Sequence, residues 1–243
     1  MTTTDITQGH TVASFSEDLS RLRGLVLELG NLVKEQVSKA VLALTNGDTA
    51  LARTVVEKGH YTHELDLRVS EEILQVLALR QPVATDLRLV LALSKCVHEL
   101  VAVGSKAKKI AAFAIQLHTD FDREPSKKFL VHVQHMYEWA GSMLERSLYA
   151  LTTIDSQKAI TVVRDDDKLD LSFDSGIRHL VTFMLENPAT ITRALDMIFM
   201  LKSLERVGDH ACHIAEQVVF IEQGRDVRYL HPDVLEVNIS TKT

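Results

Sequence analysis

Little in this sequence can make a tight turn, a staple or an aromatic core: it has 2 cysteines, 4 prolines and 10 glycines, and aromatics form 5% of it. Two cysteines, Cys96 and Cys212, cannot build a disulfide framework and point to a reducing compartment. No apolar stretch reaches the ~18 residues a membrane span needs. The segment Met1 to Gly9 is polar and lacks the basic-then-apolar order of a signal peptide. A cytosolic location is therefore expected, with no direct membrane insertion. No long run of one charge occurs either. With 27 basic and 33 acidic residues the net charge is −6, which argues against nucleic-acid binding or a membrane-surface helix.

What is abundant is Leu, Val and Ala, a balance that suits helices better than sheets. Pro82, Pro125 and Pro188 each stand before a long prolineless stretch, where proline is tolerated at the first helical position. Asp48 and Asp155 are candidate N-caps for two further starts. These marks divide the chain into six segments, about 14–46, 48–80, 82–117, 123–153, 155–186 and 188–222. The first carries Phe15, Leu19, Leu22, Val26, Leu29, Val33, Val37, Ala40 and Leu44 at steps of three and four, one apolar helical stripe. Long helices joined by short loops lie side by side as antiparallel neighbours. Residues 223–243 have weaker periodicity and read as a loosely held tail.

The chain repeats itself. Ala40-Val-Leu-Ala-Leu44, Asp48, Ala52, Val55 and Val56 recur as Ser147-Leu-Tyr-Ala-Leu151, Asp155, Ala159, Val162 and Val163 at an offset of 107. Leu100, Val103, Gly104, Ala107, Ile110 and Ala111 recur 104 residues later, from Leu204 to Ala215. The second copy thus has about three fewer residues between its second and third helices. An all-α fold of two tandem three-helix bundles is expected, with units at 14–117 and 123–222. Whether the units share one core is left open.

In the second copy, Asp166 and Asp170 are four apart, as are Glu205 and Asp209, so each pair presents two carboxylates on one helix face. Like charges at that spacing destabilise a helix by a few tenths of a kcal/mol. A bound cation would reverse the sign, and oxygen ligands suit Mg, Mn or Fe. A solvated acidic face beside Arg164, Lys168 and Arg206 is the plainer alternative. Gly208 costs roughly 1 kcal/mol mid-helix against alanine. Close helix packing or the approach of a metal-bound group would account for it, and Gly104 at the matching place without acids favours packing. His210 and His213 could add nitrogen ligands to Asp209 or be ordinary helix residues, and Cys212 reads as a small packed thiol.

Several motifs resemble those of the PhoU family: Phe15-Ser-Glu-Asp-Leu-Ser-Arg-Leu22, Gln81-Pro-Val-Ala-Thr-Asp-Leu-Arg88, Arg164-Asp-Asp-Asp-Lys-Leu-Asp170 and Leu204-Glu-Arg-Val-Gly-Asp209. Each is weak alone; in this order, with the duplicated layout, they are strong. The resemblance runs from about residue 14 to 231. It implies two three-helix bundles, frequent homodimerisation, and paired acidic motifs that bind iron or other metals. It also implies restraint of high-affinity phosphate uptake and starvation signalling, through the ATPase subunit of a phosphate transporter and a membrane sensor histidine kinase. The implied metal ligands are Asp166, Asp170, Glu205 and Asp209, with the ion (Fe, Mn, Mg or Zn) unspecified.

The first copy departs from that pattern. Gly59, His63, Val101 and Ser105 stand at the four corresponding positions, and Lys106, Lys108 and Lys109 are expected to crowd the place. Its metal site is expected to be lost, although Glu64 and Asp66 lie close enough to substitute. Asp86 and Arg88 are expected to act structurally, on the helix dipole and the adjacent loop. One rival is a carboxylate-bridged metal-storage or oxidase protein, which needs two Glu-x-x-His motifs. The chain offers Glu57-Lys-Gly-His60 once, and no nucleophile–base pattern or phosphate-cradling loop, so an enzyme is not expected. A second rival is a helical scaffold that docks partners through its acids without metal.

Overall fold

A computed structural model describes residues 6–119 and 127–227. The apolar stripe of the first segment becomes α1 (Ile6–Asn46), whose Leu22, Val26, Leu29, Val33, Ala40 and Leu44 are fully buried. Each such leucine contributes about 2 kcal/mol by leaving water, so the stripe and not local propensity holds this helix.

Both expected N-caps form. Asp48 Oδ1 accepts from the Leu51 amide at 2.8 Å and starts α2 (Thr49–Glu57). Asp155 Oδ1 accepts from the Lys158 amide at 3.0 Å and starts α6 (Ser156–Glu186). The residues one before them, Gly47 and Ile154, both take left-handed backbone, φ 70° and 50°. The same turn is thus built with glycine in one copy and a β-branched residue in the other. Leu, Val and Ala carry the remaining helices α3 (His60–Arg80), α4 (Ala84–Thr119), α5 (Lys127–Thr153) and α7 (Ile191–Gln223).

The segment expected as a single helix over 48–80 is interrupted between α2 and α3. Gly59 is a poor helix residue, and the Lys58 carbonyl accepts from the Tyr61 amide at 3.2 Å and from Gln36 Nε2 of α1 at 3.4 Å. Pro188 does not open α7 directly; it sits in a 3-10 turn, Pro188–Thr190, with Asn187 Oδ1 accepting from the Ala189 amide. Pro125 and most of the expected tail lie outside the described residues.

The architecture is all-α, two three-helix repeats, with α2 and α3 jointly forming the second helix of the first; no strand occurs among the described residues. α1 and α4 pack together in the first repeat, α6 and α7 in the second, and α4 on α7 and α1 on α5 join the two. The buried side chains form a single cluster across both repeats. Burial agrees with the register: Ala52, Val55, Thr62, Val69 and Ile73 are buried, as are their counterparts Ala159, Val162, Leu169, Gly176 and Leu180. The three-residue deletion falls after Leu180 and before Ala194, whose counterpart is Val90. No described helix is long and apolar enough to cross a membrane.

Candidate metal centre on the second repeat

α6 brings Asp166 and Asp170 to α7, which carries Glu205 and Asp209. The approach is set by Gly208, where a Cβ would stand 2.1 Å from Leu169 Cδ2. Leu169 is fully buried on that bare backbone and lies between the two aspartates in sequence. Close packing therefore accounts for Gly208, and the same packing draws the two acidic pairs together.

The two aspartates of α6 respond to the acids around them. Burial, and then the charges of Asp170, Asp209 and Glu205, push Asp166 up to about 6. Burial and then Asp209 raise Asp170 as well. Glu205 is 7% exposed and ion-paired with Lys202, and its Oε2 is buried without a hydrogen-bond partner, as is Asp166 Oδ1. Asp209 Oδ2 pairs with Arg206 Nη1 at 3.1 Å. Two orphaned buried oxygens among mutually repelling acids fit a hard cation, although the donors are not drawn into one tight shell. The described residues contain one group of three donors within 4.8 Å, and it lies elsewhere: Glu99, His210 and His213.

The two histidines do not join Asp209. His210 Nδ1 and His213 Nδ1 stand 2.7 and 3.2 Å from Glu99 Oε2 on α4. Glu99 is a residue that no local spacing singles out, because its partners are a repeat away. Cys212 is the small packed thiol expected, buried beside Asp166, with its thiol pushed up by burial and by that carboxylate. Its Sγ donates to the Val162 carbonyl at 3.9 Å. Asp165 turns aside to Arg146 and Lys168, at 2.6 and 2.7 Å.

In the first repeat the four corresponding positions hold no carboxylate. Gly104 packs on Thr62 and Gln36 as Gly208 packs on Leu169 and Met143. Thr62 Oγ1 donates to Gln36 Oε1 at 3.2 Å. Glu64 is exposed, 3.8 Å from His60. Of the three lysines expected to crowd this place, only Lys108 lies there, its Cδ 3.6 Å from where a Gly59 Cβ would stand. Lys106 and Lys109 instead face α7, lining a cleft of about 400 Å³ with Lys202, Ser203 and Arg206. The reason is helical phase: Lys106 and Lys109, three apart, share a face that Lys108 does not. Glu57-Lys-Gly-His60 spans the interruption, and His60 Nδ1–H donates to the Glu57 carbonyl at 2.7 Å, so it is a helix junction. Arg88 donates to Thr85 Oγ1 at 3.1 Å and covers Gly224 at the end of α7.

The PhoU domain model matches residues 26–114 and again 133–218. The chain belongs to the PhoU family. It is 38% identical to the phosphate-specific transport system accessory protein PhoU homolog of Pseudomonas putida, over 91% of this chain and 85% of that one. The crystal structure of PhoU from Pseudomonas aeruginosa is 37% identical and superposes with a TM-score of 0.82 over 87% of this chain and 100% of that one. The phosphate transport system regulatory protein PhoU from Streptococcus pneumoniae, 26% identical, gives 0.80 over 88% and 99%. Each matched segment of the PhoU family model falls within one structural repeat.

Proposed function

We propose that this chain is a non-enzymatic regulator of a phosphate-specific transport system, restraining high-affinity uptake and starvation signalling when phosphate is plentiful. The observation that carries this reading is the match of both repeats to the PhoU domain, together with accessory-protein relatives at 38% identity over most of the chain. The partners implied are the transporter's ATPase subunit and a sensor histidine kinase, met at the cytoplasmic face by a homodimer. Deleting the gene is expected to raise phosphate uptake or leave starvation genes on in rich phosphate. Normal repression together with normal uptake in the deletion strain would sink the proposal.

Asp166, Asp170, Glu205 and Asp209 are the residues that would hold a metal in this reading. A hard cation would offset the burial and like charge that raise Asp166 and would satisfy the two orphaned oxygens. To admit it, Lys202 and Arg206 give up their ion pairs with Glu205 and Asp209. Those same pairs favour a second reading, a metal-independent acidic docking patch already balanced by its own cations. Metal content per chain, measured by mass spectrometry on wild type and on the double variant Glu205→Ala/Asp209→Ala, separates the two. Metal present in the wild type and lost in the variant supports the centre. Equal content in both removes these residues as ligands.

A further inference from the structure

The seam between the repeats holds the most developed chemistry that the regulator reading does not use. α4 and α7 run antiparallel along it, so the internal repeat maps one end of the seam onto the other. One end is the basic cleft of Lys106, Lys109, Lys202 and Ser203. At the other end the repeat-equivalent positions carry His210, His213, His98 and Glu99. Ammonium groups at one end are thus replaced by imidazoles and a carboxylate at the other.

We propose that Glu99, His210 and His213 form a binding site for a single divalent cation of the zinc class, bridging the two repeats. His210 and His213 are three apart on one face of α7 and aim the same atom, Nδ1, at one oxygen of Glu99. All three donor atoms lie within 4.8 Å of one another. Zinc bonds of roughly 2.0–2.2 Å to nitrogen and oxygen put tetrahedral ligands ~3.4 Å apart, so the present 2.7 and 3.2 Å contacts need open only by under ~1 Å. Two nitrogens and one oxygen are the donor set of a zinc site with one open position.

A second observation is independent of the trio. The group borders a cleft of about 470 Å³ lined also by His98 and Gln217. Gln217 is 5% exposed, and its Oε1 is buried with no hydrogen-bond partner. That oxygen is enclosed beside the cleft, and a turn of the amide would present it to a water on a bound ion. If the trio only closed the seam by hydrogen bonding, neither the cleft nor the unpaired acceptor would be accounted for. The site is separate from the acidic quartet, so its fate does not depend on the metal reading given above.

The test uses the metal-stripped full-length chain and Zn2+ alone, titrated in competition with a chromophoric chelator, with Co2+ absorption reporting nitrogen ligation. The expected result is one tight ion per chain, lost in His210→Ala/His213→Ala and retained in Asp166→Asn/Asp209→Asn. Glu99→Gln, which keeps an acceptor at the seam, is expected to weaken binding tenfold or more. Helicity by circular dichroism checks each variant. Binding unchanged in the histidine and Glu99→Gln variants, binding lost only in the aspartate variant, or no tight Zn2+ in the wild type would each overturn the proposal.

Discussion

At the residue scale, Gly208 does two things at once. It costs helix propensity of about 1 kcal/mol relative to alanine, and it admits Leu169, which fixes the distance between two acidic pairs. Gly208→Ala recovers the propensity but drives a Cβ into a side chain 2.1 Å away. Overpacking costs about 1–3 kcal/mol, so a net loss of roughly 1 kcal/mol is expected in urea unfolding. Adding Leu169→Ala is expected to make Gly208→Ala neutral or favourable; an additive cycle would show that the contact is not what the glycine serves. The acids were legible in sequence because their spacing is local. Glu99 was not, because a single glutamate carries no periodic signal and meets its histidines 111 and 114 residues away.

At the element scale, caps and turns followed the sequence closely. Asp155→Ala is expected to destabilise by about 1 kcal/mol through loss of the Lys158 amide bond. The preceding turn needs left-handed backbone, so Gly47→Ala should cost about 1–2 kcal/mol, measured as a shifted denaturation midpoint. No loss would mean the turn relaxes to another form. α1 and α3 are tied by Arg80 to Asp18 at 2.8 Å, and Arg21 joins Asp18 to Glu72. The hydrogen bond from Arg80 lowers the Asp18 pKa below 3.8, against a smaller burial effect. A lowered carboxylate contributes stability above its unfolded pKa and loses it as pH falls through the folded value. Asp18→Asn should therefore cost under ~1 kcal/mol near pH 7, and the gap from wild type should close toward pH 3. A gap that stays constant with pH would refute this assignment. The break between α2 and α3 escaped the sequence because a lone glycine in a helical pattern is usually tolerated; here Gln36 of α1 adds a second donor to the Lys58 carbonyl beside the Tyr61 amide.

At the scale of the whole molecule, the repeats share one core through α4 on α7 and α1 on α5. Neither repeat can leave without exposing that seam. The chain carries 1 tryptophan, Trp139, on α5 of the second repeat. Its fluorescence reports on that repeat, whereas circular dichroism reports on all helices. The two denaturation curves are expected to coincide, as a single cooperative transition requires. A fluorescence midpoint clearly displaced from the dichroism midpoint would show that the repeats unfold separately.

The sequence by itself determined the helices, their order, the duplication and the positions of the acidic pairs, because each rests on periodicity or on caps that act over three or four residues. Tertiary structure alone decided which faces meet. It sent Lys106 and Lys109 to the seam while Lys108 stayed beside Gly59, and it placed Cys212 beside Asp166. It also brought Glu99 to His210 and His213. The physical reason is that helix phase and the packing of α4 on α7 set these contacts, and phase over thirty residues accumulates from packing rather than from any local motif.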